Sequence, residues 1–495
     1  MAYSINRRRL LAGTAGAAFL AVTARRAGAQ GTGNTQMGID TSNWTPQYIR
    51  SIAGTQNFDT AADCAKIVPL NYKGKLTYWW NGPNQASPQI EHEIDGQFWA
   101  AFAKTYPNIE VTKQNLDYNQ MLDKLRTAAL GNAAPMVAKM PIMWGVEFAA
   151  KGQLKEFGPK DIGYTDADFW PGALKSVTWQ NKLYGVPTNN ETMALIHNGA
   201  LFKEAGLPVE EGPATWDDLI AYSKQIKEKT GKNGYGLVAR VNAGNTPFRY
   251  MPQLWAYGGG ALDEASAKPT YKTVEIDNAG SKASLQASYT MYAVDHSAPV
   301  SALTNTQTEN ENPFLAGQLG MMIGHPAEYA AIIDLAKKAT GADRDVAQAV
   351  IASTYYGLIP KGSVRRAAVF GGSNDHVFSP DVVDGKLDYE AARAFIAFSC
   401  SPEWSTKLAW DNSNPGTLLG FKTIWMKQRL EQIKFLEVTS SMLPYGIPFP
   451  VVPQATEIMN IIVPNMLQNA LTKKMTVDAS CANAATQIKN TLKDV

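Results

Sequence analysis

The chain has 495 residues, 45% hydrophobic and 18% charged, with 46 Lys and Arg against 44 Asp and Glu. That length exceeds one ordinary core and implies two or three domains, while the composition excludes disordered and low-complexity classes. No fixed-period repeat is present, which argues against a solenoid or propeller.

Residues 1–29 read as an export signal. Arg7-Arg8-Arg9 precedes the run LLAGTAGAAFLAVT, which is shorter than the ~20 residues a membrane span needs, and Ala27-Gly28-Ala29 makes a small-residue cleavage pattern. The arginines followed by Leu-Leu and a Gly/Ala-rich run resemble a twin-arginine signal. No cysteine sits at the cut, so a free periplasmic protein is expected rather than a lipid-anchored one. Cleavage removes five arginines and no acid, taking the formal charge from +2 to −3. That balance gives no footprint for nucleic acid or anionic lipid. Cys64, Cys400 and Cys481 match no zinc or redox spacing. An oxidising compartment allows one disulfide, and Cys64–Cys481 is the expected pair, with Cys400 as a buried small hydrophobe.

Residues 30–73 form a polar extension expected to wrap on the surface, with one short helix around Thr60–Ile67. From Lys75 the pattern alternates. LTYWW is β-prone and IEHEIDGQFWAAFAKTYP has helical apolar spacing. IEVTKQNL is a strand, YNQMLDKLRTAALG a helix and MVAKMPIMW a strand. This is β-α-β-α-β, the mark of an α/β domain with a largely parallel sheet. LYGVP and MALIHN are two further strand-like runs separated by Thr188-Asn189-Asn190-Glu191. TWDDLIAYSKQIKEKTG is a helix capped by Thr215, with Asp217 and Asp218 in its first turn and Gly231 after its end. GYGLVAR, QLGMMIG and AAVFGG continue the strands, and DYEAARAFIAFSC and the region from Pro453 the helices.

Catalytic and metal motifs are missing. There is no H-E-x-x-H, G-x-S-x-G, phosphate-binding loop or dinucleotide fingerprint. Glu91-His92-Glu93 with Asp95 reads as a solvated helix face, and Glu309/Glu311 would serve a glycosidase only if two carboxyls faced each other. No catalytic residue, metal or cofactor is expected.

The order of motifs resembles the extracellular solute-binding proteins of sugar ABC transporters, the family that includes maltose-binding protein. The resemblance rests on FWAAFAKTYPNIEV, YNQMLDKLRTAALGNAAP, KLYGVPTNNETMALIHNGALFKEAGLP with PATWDDLIAYSKQI, FLAGQLGMMIGHP and YEAARAFIAFSCSPE. Together they span about residues 75–490. It implies a two-lobed α/β fold of the type II periplasmic binding class. Lobe 1 would hold residues 74–188 and 375–432, and lobe 2 residues 189–374 and 433–495. Thr188–Glu191, AAVFGGSND and the segment near Glu437–Pro444 would be the crossings.

The resemblance also implies a carbohydrate or polyol in the interlobe cleft, delivered by a monomer to an inner-membrane ABC permease. A sugar wants amides and carboxylates for its hydroxyls and aromatic rings for its C–H faces. The expected ligand-binding residues are Trp80, Asn81, Trp144, Asn189, Asn190, Glu191, Trp255, Tyr257, His325, Gly371, Ser373, Asn374, Asp375 and Trp410, with Met143 and Asn412 beside them. Strand alternation sends one of Trp79 and Trp80 into a core. Ala327 stands where the family often has an aromatic, which favours a smaller ligand. The alternatives are a polyamine, metal chelate or phosphorylated polyol, against each of which the absence of a concentrated acid or arginine cluster argues, and a secreted carbohydrate-active enzyme.

Overall fold

A computed structural model describes residues 35–494 apart from 37–38, 41–45, 57, 84, 86, 88, 242–243 and 409–414. The expected signal segment, Trp410 and Asn412 therefore lie outside the described residues.

Two sheets organise the chain. Nine strands carry them: β1 (Gly74–Trp80), β2 (Ile109–Asn115), β3 (Val137–Pro141), β4 (Val186–Glu191), β5 (Ala194–Asn198), β6 (Asn233–Tyr235), β7 (Leu319–Gly324), β8 (Thr354–Gly357) and β9 (Gly371–Val377). The first sheet has the order β2-β1-β3-β9-β4, and the second β6-β7-β5-β8. β1 runs parallel to β2 and β3, as the alternating helices require. β9 pairs antiparallel with both β3 and β4, so the expectation of a largely parallel sheet holds only for the first three strands. In the second sheet only β6 and β7 are parallel.

Each sheet carries its own lobe. Leu76, Tyr78 and Trp80 alternate along β1 into a core with Phe98, Phe102 and Phe395, while Trp79 packs on the other side. Behind the second sheet, Phe435 stacks on Tyr329 with ring centroids 4.9 Å apart. The helix Trp216–Thr230 starts at Thr215, whose Oγ1 accepts the Asp218 N–H at 3.0 Å while Asp218 accepts the Thr215 N–H. It ends at Gly231, whose φ of 72° is left-handed.

The polar block Thr188–Glu191 does not interrupt two strands. It is the second half of β4, running unbroken beside β9 and followed after a short gap by β5 of the other sheet. The chain thus passes between lobes as strand.

Residues 60–73 are more deeply set than a surface wrapping. Cys64 and Val68 are buried in the first lobe's core, and the Tyr106 hydroxyl donates to both their carbonyls. The expected Cys64–Cys481 disulfide is not formed: all three cysteines are free and buried. Cys64 packs with the first sheet's core, whereas Cys481 packs with Leu285 and Met466 in the C-terminal helices.

Candidate interlobe binding cleft

β4 and β9 form the floor. Glu191 pairs with Gly371, Asn190 with Gly372 and Asn189 with Ser373, before an irregularity that shifts the register at Asn374. Strand alternation sends Asn189 and Glu191 to one face and Thr188 and Asn190 to the other, where both are buried. Gly372 has φ 122°, and a Cβ there would lie 1.9 Å from the Asn189 carbonyl oxygen. Only glycine lets the two strands approach so closely.

Above this floor lies a cavity of about 670 Å³, a volume in the range of small-molecule sites. Its walls come from both lobes. The first supplies Trp80, Asn81, Glu91, Asp95, Tyr118, Lys139 and Met143, and the second Asn245, Phe248, Gln307, His325 and Ala327. Asn189, Glu191, Gly372 and Ser373 form the bottom.

Of the expected site residues, Trp80, Asn81, Asn189, Glu191, His325 and Ser373 line this cavity. Trp80 ends β1 and stacks on Tyr78 at 5.5 Å, which fixes its ring. Asn81 gives one N–H to the Leu116 carbonyl at 2.9 Å. His325 precedes the helix Pro326–Lys338, and its backbone N–H donates to the Glu328 carboxylate. Glu328 in turn forms a buried ion pair with Arg249. Burial, and after it the Arg249 charge, pulls the His325 imidazole down to about 3, so it is neutral at physiological pH. Burial pushes Glu191 up to about 7, with Arg249 offsetting part of the effect.

The remaining expected residues face elsewhere. Trp144 is buried against Tyr118 at 5.4 Å, at the start of the helix Gly145–Ala150, and only its neighbour Met143 reaches the cavity. Trp255 is fully buried and donates its indole N–H to Glu264 at 2.8 Å. The Tyr257 hydroxyl donates to Asp217 at 2.6 Å. Asn190 gives its side-chain N–H to the Asn189 carbonyl, and Asn374 gives its own to Ser176. Asp375 is buried, accepting from Tyr78 and Ser399. Asn374 points to the opposite face, and Asp375, on the Ser373 side by alternation, lies covered by Tyr78 and Ser399. Gly371 contributes no side chain; a Cβ there would press on Glu191 and Phe248.

Sequence reasoning missed Glu91, Asp95, Tyr118, Lys139, Asn245, Phe248 and Gln307. Glu91 and Asp95 are four apart on the helix Gln89–Thr105 and share the face that looks into the cavity. That spacing was the available signal. Among the described residues no group of His, Cys, Asp and Glu is arranged to hold a metal ion. Glu311 is buried while Glu309 accepts from Thr306, and neither lines the cavity. No helix of the described residues is long and apolar enough to cross a membrane.

Residues 88–405 match the bacterial extracellular solute-binding protein family. A binding protein of Brucella abortus (strain 2308) is 23% identical over 401 residues, 79% of this chain and 88% of its own. Among solved structures, the GacH receptor of Streptomyces glaucescens, studied unliganded and with acarbose, superposes with a TM-score of 0.67 at 23% identity, covering 86% of this chain and 100% of that one. The cyclic α-maltosyl-1,6-maltose binding protein of Arthrobacter globiformis gives 0.70 at 18% identity, again 86% and 100%. The family match covers more than half of the chain, and the chain belongs to the bacterial extracellular solute-binding proteins.

Proposed function

We propose that this protein is the periplasmic substrate-binding component of an ABC importer, taking up a carbohydrate or polyol and handing it unaltered to an inner-membrane permease. The observation that carries the reading is the cavity itself, with the rings of Trp80, Tyr118 and Phe248, four side-chain amides and acids from both lobes over the β4–β9 floor. Trp80 and Phe248 would pack on C–H faces of the solute, and Asn81, Asn189, Glu191, His325 and Ser373 would meet its hydroxyls. A solute that touches both walls only when the lobes are closed favours the closed state by the difference in affinity. The names of the two solved relatives, one crystallised with acarbose and one a maltosyl-maltose binder, support a sugar.

The lobes divide at 188/189, 374/375 and 432/433 in this reading. Residues 1–29 direct export by the twin-arginine route, and the mature protein works as a monomer. A thermal-shift screen against sugars and polyols, followed by calorimetry, tests the function. A ligand is expected that raises the melting temperature and binds at least tenfold more weakly to Trp80→Ala and Glu191→Ala. Unchanged affinity in both folded variants rejects the site. Release of new reducing ends from oligosaccharides rejects a pure binding role.

A further inference from the structure

The described cavity walls carry more acids than bases. Glu91, Asp95 and Glu191 bring carboxylates, and Lys139 is the one ammonium among the described lining residues. Two further acceptors, Asn189 Oδ1 and Gln307 Oε1, are completely buried in the walls and have no hydrogen-bond partner among the described residues. An unpartnered buried acceptor carries a desolvation cost that a bound donor removes.

Cations near the walls are already engaged. Arg249 is locked to Glu328, with both side chains about 95% buried. Lys113 sits 4.2 Å over the Trp99 ring and faces Asp95. Lys139 faces the buried Asp375 as well as Asp95. His325 is neutral. Closing the lobes on an uncharged solute would strip water from Glu91 and Glu191 and give them no positive charge in return, which is costly. A hydroxyl can donate one hydrogen bond but brings no charge. An alkylammonium donates three, accepts none and is attracted to aromatic faces such as those of Trp80 and Phe248.

Resting on the reading of this cavity as the ligand site, we propose that the solute is hydroxyl-rich and carries a protonated amine, as an amino sugar or amino polyol does. Its ammonium is held at Glu191 with the neighbouring Asn189 Oδ1 on the same strand face, and Glu91 and Asp95 supply the acidic wall on the other side. The sequence alone offered no concentrated acid because these residues are 4 and about 100 positions apart. The fold assembles one.

Matched pairs in calorimetry at pH 7.5 decide the matter: D-glucosamine with D-glucose, D-galactosamine with D-galactose, and 1-amino-1-deoxy-D-sorbitol with D-sorbitol. At least one amine is expected to bind, and at least tenfold tighter than its neutral counterpart. The isosteric Glu191→Gln should remove most of that difference, and Glu91→Gln with Asp95→Asn part of it. Neutral members binding as tightly as their amines, or binding while the amines do not, overturns the inference and leaves the carbohydrate reading intact. No binding by any member at millimolar concentration overturns the inference and counts against that reading too. Full retention of amine preference in Glu191→Gln shows that the ammonium is not held there and overturns the assignment.

Discussion

Arg249 lies directly behind the cleft floor, and its replacement by Met tests whether the charges there hold the site together. The guanidinium is 4% exposed and Glu328 5%, so neither charge has water to fall back on. Removing one partner of such a pair leaves a buried charge unpaired and costs about 3–5 kcal/mol. Glu328 keeps only the His325 N–H as a donor among the described residues, too little to restore it. Replacing both residues, as Arg249→Met with Glu328→Met, removes the unpaired charge. It should return most of the loss, because apolar substitutes for a buried pair are often neutral or stabilising. Urea unfolding followed by tryptophan fluorescence gives both numbers. Glu191 and Glu311 also lose the cation that tempers their raised carboxyls. Both already sit near 7 against an ordinary 4.5, and losing Arg249 lifts them further. An acid with a raised folded-state value costs nothing below about pH 4.5 and its full penalty above the folded value. Between about pH 4.5 and 7 parent and variant pay alike, so the extra loss in Arg249→Met from these two acids should appear above about pH 7. A loss under about 1 kcal/mol, additive with that of Glu328→Met, would falsify the argument.

Three further outcomes are expected. Glu191→Gln should gain stability relative to the parent as pH rises from 5 to 8, since burial raises Glu191 to about 7 and the amide has no proton to give up; a pH-independent difference in urea midpoints refutes this. The depressed His325 and His376 make both proteins less stable below about pH 6.5 alike, which is why the comparison is between variants. Three thiols should titrate in denaturant and none under native conditions, with no mass change on reduction; two coupled cysteines contradict the packing of Cys64 and Cys481 in separate cores. Thr215→Ala should cost about 0.5–2 kcal/mol by opening the cap of the helix Trp216–Thr230, read from the same urea titration, whereas no loss would mean that the cap is dispensable.

The fold was largely legible because its signals are local. Thr215, Asp218 and Gly231 bracket a helix that begins and ends where the residues say it does. LTYWW, IEVTKQN and VAKMP alternate with helices at spacings that force parallel pairing. What was not local was misjudged. Thr188–Glu191 was expected as a crossing set apart from the apolar runs on either side. In space Asn189–Glu191 pair with Gly371–Ser373 as the continuation of the Val186–Glu191 strand, with Thr188 left over at the register shift. Cys64 seemed peripheral because the extension around it is polar, yet Tyr106, more than forty residues on, fastens it to the core.

The site was legible only where side-chain direction follows from strand alternation. Asn189 and Glu191 share a face by period two, and that face is the cleft; Asn190 between them had to point away. On β9 the same rule sends Asn374 to the far side, while Asp375 shares the Ser373 face and is covered by Tyr78 and Ser399, which no local composition announces. Trp144 and Trp255 were attractive as rings for a sugar. A large aromatic, however, is drawn into a core whenever a partner for its N–H is buried with it, as Glu264 is for Trp255. The acids tell the opposite story. Glu91 and Asp95 look like ordinary solvent-facing charge on a helix, and they become a ligand wall only because the second lobe closes over that face. Which charges are solvated and which are desolvated is therefore decided by lobe apposition. It is this step, beyond the reach of helix or strand periodicity, that converts a scattering of carboxylates into a site selecting for a positively charged solute.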